Sequence, residues 1–161
     1  MLPCEGLSAA FQWSDEFSVA NADMDDTHRE FVACVAHLLA ASDAAQPDAL
    51  EAFEAHARRH FAEEDEAMHS SGYAAAGCHV DEHAAVLQST AEVRLALAEG
   101  RHSVVRAFAR ALADWFPEHA QVMDQGLARF LDVQRLGGAP LVFRRGTDAG
   151  SIRRVHLPEC T

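Results

Sequence analysis

The fold of this chain is decided by the stretch His60-Phe61-Ala62-Glu63-Glu64, which places an imidazole and a carboxylate four residues apart among apolar side chains. A step of four residues in an α-helix turns by about 40°, so His60 and Glu64 point in nearly the same direction. One such pair is weak evidence for a metal, but several charged groups buried together in one core need a metal ion to be tolerable.

Further ligand-type side chains stand on both sides of this stretch. His79 and His83 repeat the four-residue spacing, and His28 lies near the start of the first predicted helix. His119 and Asp124 are five residues apart, a step that turns by about 140° and suits a shared face less well. A kink in the helix, or a carboxylate that reaches sideways to bridge two metals, would reconcile that spacing.

The apolar periodicity predicts four amphipathic helices joined by short connections, which favours an all-α, up-down-up-down antiparallel four-helix bundle. Pro47 suits the first turn of the second helix. Pro117 lies inside the fourth, so we expect a kink just before it. The predicted helices run from residues 21–26 to 41–42, from 46–48 to 70–72, from 73–79 to 100, and from 103 to 133.

The domain organisation predicted from these patterns is a bundle over residues 1–136 and a C-terminal tail over residues 137–161. The tail carries two pairs of adjacent arginines and two extended segments, so we expect a hairpin-like structure that packs on the bundle or binds a protein partner. Residues 1–20 form an N-terminal arm that should pack on the bundle through three aromatic side chains: Phe11, Trp13 and Phe17.

The composition excludes some classes of partner. A formal net charge of −12 disfavours nucleic acid and anionic membranes. No stretch approaches the roughly 20 apolar residues of a membrane helix, and the first residues lack the features of a signal peptide. The four cysteines form no CxxC pair. We therefore expect reduced thiols in a cytoplasmic protein, with a Cys4–Cys160 bridge as the open alternative.

The number of candidate ligands indicates two metal ions. Five imidazoles and two carboxylates are too many for one tetrahedral zinc ion. Two ions that share two bridging carboxylates would use all seven ligands and leave one position open. A mostly imidazole set suits iron, with zinc, copper and manganese as competitors. Ferritin-like di-iron bundles use four glutamates with Glu-x-x-His pairs on two helices, a signature that this sequence does not have.

Taken together, the motifs resemble those of the hemerythrins, in particular the bacterial ones. The resemblance covers roughly residues 11–133 and is specific because seven ligand positions occur in the right order and spacing. The matching segments are Asp25-Asp26-Thr27-His28, His60-Phe61-Ala62-Glu63-Glu64 with Met68, His79-x-x-x-His83, and Trp115-Phe116-x-x-His119-x-x-x-x-Asp124.

The resemblance implies a non-heme di-iron site that binds O₂ reversibly, for oxygen storage, transport or sensing. Glu64 and Asp124 would bridge the two iron ions together with an oxo or hydroxo group. The implied iron ligands are His79, His83 and His119 for one ion, and His28 and His60 for the other ion, which keeps the open position.

Two other functions stay open. One is a di-iron enzyme, such as a peroxidase, an NO reductase or an oxidase. The other is a sensing or interaction module that acts through the tail over residues 137–161, and an oligomer is compatible with any of these functions.

Several other residues near these motifs are not expected to be metal ligands. The acidic run over residues 63–66 is expected to be mostly a solvated face, in which only Glu64 is a ligand. His56 lies one turn before His60 on the same face, where it either contacts that ligand or is simply buried. Ala120 replaces the bulkier aliphatic residue usual in the family. The remaining histidines are expected at the surface or in loops: His37, His69, His102 and His156.

Overall fold

A computed structural model describes residues 11–137 of the chain. Within that range all regular secondary structure is helical. The α-helices are α1 (Ala22–Ala40), α2 (Gln46–Ser71), α3 (Ala76–Ala98), α4 (His102–His119) and α5 (Gln125–Arg135). A 3₁₀ turn (Asp15–Phe17) precedes α1, and a π turn (Ala120–Asp124) joins α4 to α5.

The helices pack as the predicted antiparallel four-helix bundle. α4, the π turn and α5 follow one another without a break and together form the fourth rod. α1 packs against α2 and α4, and α3 packs against the same two helices. The connections at residues 41–45, 72–75 and 99–101 are short, which makes consecutive helices antiparallel neighbours.

Local sequence signals explain where the helices begin and end. The side chain of Asn21 accepts a hydrogen bond from the Met24 N–H at 3.2 Å and so caps α1. Pro47 occupies the first turn of α2, as predicted. α2 ends at Gly72, whose φ of 70° is a left-handed conformation that favours glycine.

The irregular part of the fourth rod lies after Pro117 rather than before it. α4 continues through Pro117 to His119, and the π turn follows directly. There the N–H of Gln125 bonds to the carbonyl of Ala120, five residues earlier. A change of hydrogen-bonding pattern thus follows Pro117 by one turn, and the kink just before Pro117 stays a prediction.

The described part of the N-terminal arm is tied to the bundle by a carboxylate on α1 and by the aromatic rings of Phe11, Trp13 and Phe17. Asp25 accepts hydrogen bonds from the Ser18 hydroxyl at 2.7 Å and from the Val19 N–H at 2.8 Å. Phe17 is buried, and its ring centroid lies 5.4 Å from that of Phe116. The arm thus reaches the bundle close to the first predicted ligand on α1.

A core of apolar side chains fills the half of the bundle where α1 and α3 end and α2 and α4 begin. We call it the apolar half. The fully or nearly fully buried members of the apolar half include Val35, Leu38, Leu50, Phe53, Ala57, Val93, Ala96, Val105 and Ala109.

None of the described helices is long and apolar enough to cross a membrane.

The expectation about the cysteines holds only in part. Cys34 is a free, half-buried thiol, whereas Cys78 is disulfide-bonded, so the expectation of reduced thiols is wrong for Cys78. Sequence spacing gives no information on which thiols the fold brings together. The alternative Cys4–Cys160 pairing, His156 and the tail from residue 138 onwards lie outside the described residues.

Candidate metal centre

The seven predicted ligand side chains lie together at one level of the bundle, in the half opposite the apolar half. We call this level the ligand half. All seven are buried, and Glu64, the most exposed of them, is 6% exposed. Their positions are His28 on α1, His60 and Glu64 on α2, His79 and His83 on α3, and His119 and Asp124 at the two ends of the π turn.

The helix geometry explains why each pair faces inwards. The two pairs spaced by four residues lie on regular α-helices and share a face, as predicted. In a π turn the hydrogen bonds span five residues, so a five-residue step returns to nearly the same face. His119 and Asp124 stand at such a step. The π turn, which the sequence did not predict, reconciles their spacing.

Glu64 divides its two oxygens between two groups of imidazoles. Oε1 lies 3.0 Å from His60 Nε2 and 3.6 Å from His28 Nε2. Oε2 lies 3.3 Å from His83 Nε2 and 3.5 Å from His79 Nε2. One carboxylate therefore faces two separate sets of ring nitrogens.

Asp124 divides its oxygens in the same way. Oδ2 lies 3.1 Å from His28 Nε2. Oδ1 lies 2.9 Å from His79 Nε2 and 3.2 Å from His119 Nε2. The cluster thus separates into a three-imidazole group (His79, His83, His119) and a two-imidazole group (His28, His60) that share two carboxylates.

The electrostatics of the cluster keep both acidic groups ionised. Burial raises the pKa of Glu64, but the surrounding imidazoles, His28 and His60 first, hold it well below its usual range. Burial and the Glu64 charge raise the pKa of Asp124, but His119 and the other imidazoles bring it below its usual value. Ionised carboxylates are the form that binds metal cations.

The imidazoles respond in the opposite direction. Burial lowers the pKa of His28 and of His79, but the close carboxylates of Asp124 and Glu64 outweigh it and raise each pKa to about 9. Without a metal cation, the two carboxylates therefore hold protons on these rings. A bound metal cation would displace these protons and would itself supply the positive charge that the two carboxylates attract.

The chemistry of the buried atoms fits metal ions. Several of them approach one another closely without making a hydrogen bond of good geometry to any described residue. They include both ring nitrogens of His28 and of His79, both oxygens of Asp124, and Oε2 of Glu64. Ions between the Nε2 nitrogens and the carboxylate oxygens would satisfy these atoms apart from the two Nδ1 nitrogens, which face away from the cluster. The ligand side chains form two groups, and within each group one ligand atom from every residue lies within 4.8 Å of the others. The groups are His28, His60 and Glu64, and Glu64, His79, His83, His119 and Asp124.

Two acidic residues that the sequence did not single out contact the imidazoles from outside. His83 Nδ1 donates to Asp65 Oδ1 at 2.8 Å, and His119 Nδ1 donates to Glu82 Oε2 at 2.7 Å. Asp65 belongs to the run that was expected to be solvated apart from Glu64. Each contact joins different helices, so no spacing within one helix could have predicted it.

Aromatic rings enclose the cluster on several sides. Phe61 stacks on His83 with 4.1 Å between ring centroids, and Trp115 stacks on His119 at 4.2 Å. On the other side, the Phe116 ring meets His28 edge-on at 5.4 Å. These apolar walls keep bulk water away from the imidazoles.

The other histidines mostly follow their predicted roles. His37 and His69 are exposed, as expected. His56 is buried beside His60, with 5.5 Å between ring centroids, and burial, His60 and Arg59 lower its pKa to about 4. His102 is half-buried at the start of α4, and its Nδ1 lies 2.8 Å from the side-chain oxygen of buried Gln46.

A narrow crevice leads from the surface to the two-imidazole side of the cluster. It lies between α1, α2 and α5 and has a volume of about 140 Å³. At its inner end are His60 and Glu64, and its walls include Met24, Leu127 and Leu131. A diatomic molecule is small enough for such a space.

An antiparallel four-helix bundle that holds five buried imidazoles and two shared carboxylates at one level is a helical metal-binding domain. The chain belongs to the hemerythrin family, since the hemerythrin HHE cation binding domain matches residues 19–131. It is also similar to the bacteriohemerythrin of Ralstonia nicotianae, with 35% identity over 120 residues that cover 74% of this chain and 88% of that protein.

Proposed function

We propose that this protein binds two iron ions and uses them to bind O₂ reversibly, for oxygen storage, delivery or sensing. The observation that carries the proposal is the division of the carboxylate oxygens. Glu64 and Asp124 each direct one oxygen at the two-imidazole group and the other at the three-imidazole group. Carboxylates in that arrangement suit a pair of ions that they bridge.

Each side chain has a defined role in this proposal. Glu64 and Asp124 would bridge the ions together with an oxo or hydroxo group. When bound, the iron pair would supply the electrons for reversible O₂ binding, while the protein supplies ligands, orientation and a dry pocket. The proposed ligands are His79, His83 and His119 at one position, and His28 and His60 at the other.

The donor set suits iron and differs from that of a structural zinc site. Mostly imidazole with some carboxylate is a mixture that iron accepts readily, whereas structural zinc sites close at four ligands. The two-imidazole position has fewer protein ligands, so it is the one with room for a small molecule. The crevice between α1, α2 and α5 reaches the same side, at His60 and Glu64.

Metal analysis with visible spectroscopy tests the proposal. Purified protein should contain two iron ions per chain. After anaerobic reduction by dithionite, admission of air should produce a coloured adduct that disappears when O₂ is removed and returns when it is readmitted. Protein without stoichiometric metal, or an adduct that never reverses, would contradict the proposal.

A variant pair tests the ligand assignment. His119→Ala should lose one iron ion and the O₂ adduct, because it removes a ligand from the three-imidazole position. His37→Ala is the matched control, since His37 is an exposed histidine on α1. A fully loaded His119→Ala protein that still binds O₂ would refute the assignment.

The second candidate function is a di-iron enzyme that turns over peroxide, NO or a small organic substrate. The observation that favours it is that the crevice is lined by Asp23 and Glu63 as well as by His60. Acidic side chains at that place could move protons to or from a bound substrate. Rapid decay of the O₂ adduct, with turnover of added peroxide or NO, would support this alternative over reversible binding.

Partners and location complete the proposal. We expect neither nucleic acid nor membrane as a partner, and the cytoplasmic location stays a prediction that cell fractionation would check. The tail over residues 137–161 either packs on the bundle or binds a protein partner. Removal of residues 137–161 should leave the iron spectrum unchanged if the tail serves a partner, and should alter it if the tail packs on the bundle.

A further inference from the structure

The five imidazoles of the cluster differ at the ring nitrogen that faces away from its centre. In His83 and His119 this Nδ1 donates to a carboxylate. In His28, His60 and His79 the Nδ1 atom is buried and has no hydrogen-bond partner among the described residues. Both supported rings belong to the three-imidazole group, so the two proposed metal positions have different surroundings.

His83 is held on one edge and on one face. Asp65 Oδ1 accepts the hydrogen bond from Nδ1 at 2.8 Å, and the Phe61 ring stacks on the imidazole with an interplanar angle of 9°. The imidazole is buried, whereas the Asp65 side chain is 35% exposed. Water can therefore solvate the Asp65 charge while that charge acts on a buried ring.

His119 is held by the same two kinds of contact. Glu82 Oε2 accepts from His119 Nδ1 at 2.7 Å and from the Trp115 indole N–H at 3.1 Å. The Trp115 ring stacks on the imidazole with 4.2 Å between centroids. Glu82 is 38% exposed, close to the value for Asp65. A single carboxylate thus fixes both the ligand ring and the aromatic ring that covers it.

We propose that Asp65 and Glu82 are positioning residues that orient His83 and His119 and make the three-imidazole position the tighter and more easily oxidised of the two metal positions. This inference rests on the metal centre of the proposed function. A carboxylate that accepts Nδ1–H fixes the tautomer with the Nε2 lone pair directed at the metal. It also makes the ring a stronger electron donor, which stabilises the higher oxidation state of the bound ion.

The difference between the positions gives each a distinct task. The three-imidazole ion would be retained firmly and give up an electron first. The two-imidazole ion, next to the crevice at His60, would be the more labile and more electron-poor ion. Asp65 and Glu82 therefore determine which of the two neighbouring ions changes oxidation state first.

Anaerobic titration with Co²⁺ in competition with a chelator tests the metal affinities without any O₂ chemistry. Glu82→Gln and Asp65→Asn should each weaken one of the two Co²⁺ equivalents by about 10- to 100-fold and leave the other nearly unchanged. The matched controls are Glu118→Gln and Glu66→Gln, which remove the same charge from exposed neighbours on the same helices as His119 and Glu64.

The type of substitution separates orientation from charge. Glu82→Gln keeps an oxygen that can accept from His119, whereas Glu82→Ala removes both the charge and the acceptor. If the charge acts on the metal, the reduction potential of the iron-loaded protein should rise already in Glu82→Gln, by spectroelectrochemical titration. If only orientation matters, the potential should move in Glu82→Ala alone, which would overturn the electronic part of the proposal.

Two further outcomes would overturn the inference while leaving the proposed function intact. One is parent-like Co²⁺ binding and parent-like potential in both carboxamide variants. The other is an equal loss at both equivalents, because that would indicate a general disturbance of the bundle. Conversely, a parent protein that binds two Co²⁺ ions with the predicted difference but forms no reversible O₂ adduct would refute the proposed function alone.

Discussion

Both halves of the bundle have buried interiors, but they differ in the chemistry of most of the side chains that fill them. The apolar half contains side chains such as Phe53 and Leu38, which gain free energy by leaving water. The ligand half buries imidazoles and carboxylates such as His79 and Asp124, whose removal from water is costly. The apolar half can therefore stabilise the fold without a cofactor, whereas the ligand half becomes favourable only with the charges that its groups bind.

This difference predicts that the two halves stabilise the domain in different ways. The apolar half should hold the four helices together whether or not metal is present. The ligand half should gain its stability from metal binding, since an ion that binds only the folded state stabilises that state. The following substitutions test whether the two halves act independently, from the largest expected effect to the smallest.

Glu64→Ala should have the largest effect, because Glu64 faces both proposed metal positions. We expect the variant to lose both ions. It should also lose metal-dependent stabilisation, which is about 4 kcal/mol at a metal concentration of 1,000 times Kd. Metal analysis and urea unfolding with and without metal measure the two effects. Glu63→Ala, at an exposed neighbour, should bind metal like the parent. Retention of two tightly bound ions by Glu64→Ala would mean that the carboxylate is not shared.

Phe53→Ala should damage the apolar half alone. The side chain is 0% exposed and packs against Phe31 and Phe108, so its loss should reduce the free energy of unfolding by about 3–5 kcal/mol. The same loss should appear with and without metal, and the metal content should not change. Leu95→Ala, at a residue that is 68% exposed, should shift stability by less than about 0.5 kcal/mol. A folded Phe53→Ala protein without metal would show that the halves are coupled.

Asp25→Ala should have an intermediate effect on stability. Asp25 accepts from Ser18 and Val19, and the loss of charge-assisted hydrogen bonds costs about 1.5–3 kcal/mol. The substitution acts on the arm rather than on the ligands. Proteolysis within the first 20 residues should therefore become faster, while the metal content stays the same. Asp26→Ala, at an exposed neighbour, is the control. Unchanged proteolysis would show that the arm is held by its aromatic rings alone.

Gly126→Ala should have the smallest effect on stability, and the size of that effect should depend on Tyr73. A Cβ atom at this position would lie 2.7 Å from the Tyr73 hydroxyl, which would have to move. In a Tyr73→Phe background that obstacle is absent, and alanine should then stabilise α5. A double-mutant cycle by urea unfolding should give a coupling free energy of about 1 kcal/mol. A coupling near zero would mean that the tyrosine ring shifts freely.

Much of this molecule could be predicted from regular helix periodicity. The bundle, the inward direction of His60 with Glu64 and of His79 with His83, and the cap at Gly72 all follow from geometry within one helix. These features need no knowledge of which helix lies next to which. That is why they could be read from one sequence without a structure.

The remaining features depend on contacts between helices or on departures from regular geometry. Asp65 and Glu82 contact rings on other helices, and His102 contacts Gln46 across the bundle, so nothing in their local sequence indicated a partner. The five-residue step from His119 to Asp124 was recognised as irregular, but the π turn was not predicted. The segment over residues 103–133 was treated as one regular helix, so the phase shift that an extra residue introduces was not recognised.

The π turn makes the length of its segment matter more than its composition. Gln121 and Val122 are exposed, so many side chains should be tolerated there. Removing one residue would instead rotate everything that follows, including Asp124 and the buried Leu127, by roughly a quarter turn around the rod. For anyone who redesigns this scaffold, the exposed positions between His119 and Asp124 can change in identity, but the number of residues between these two ligands must stay the same.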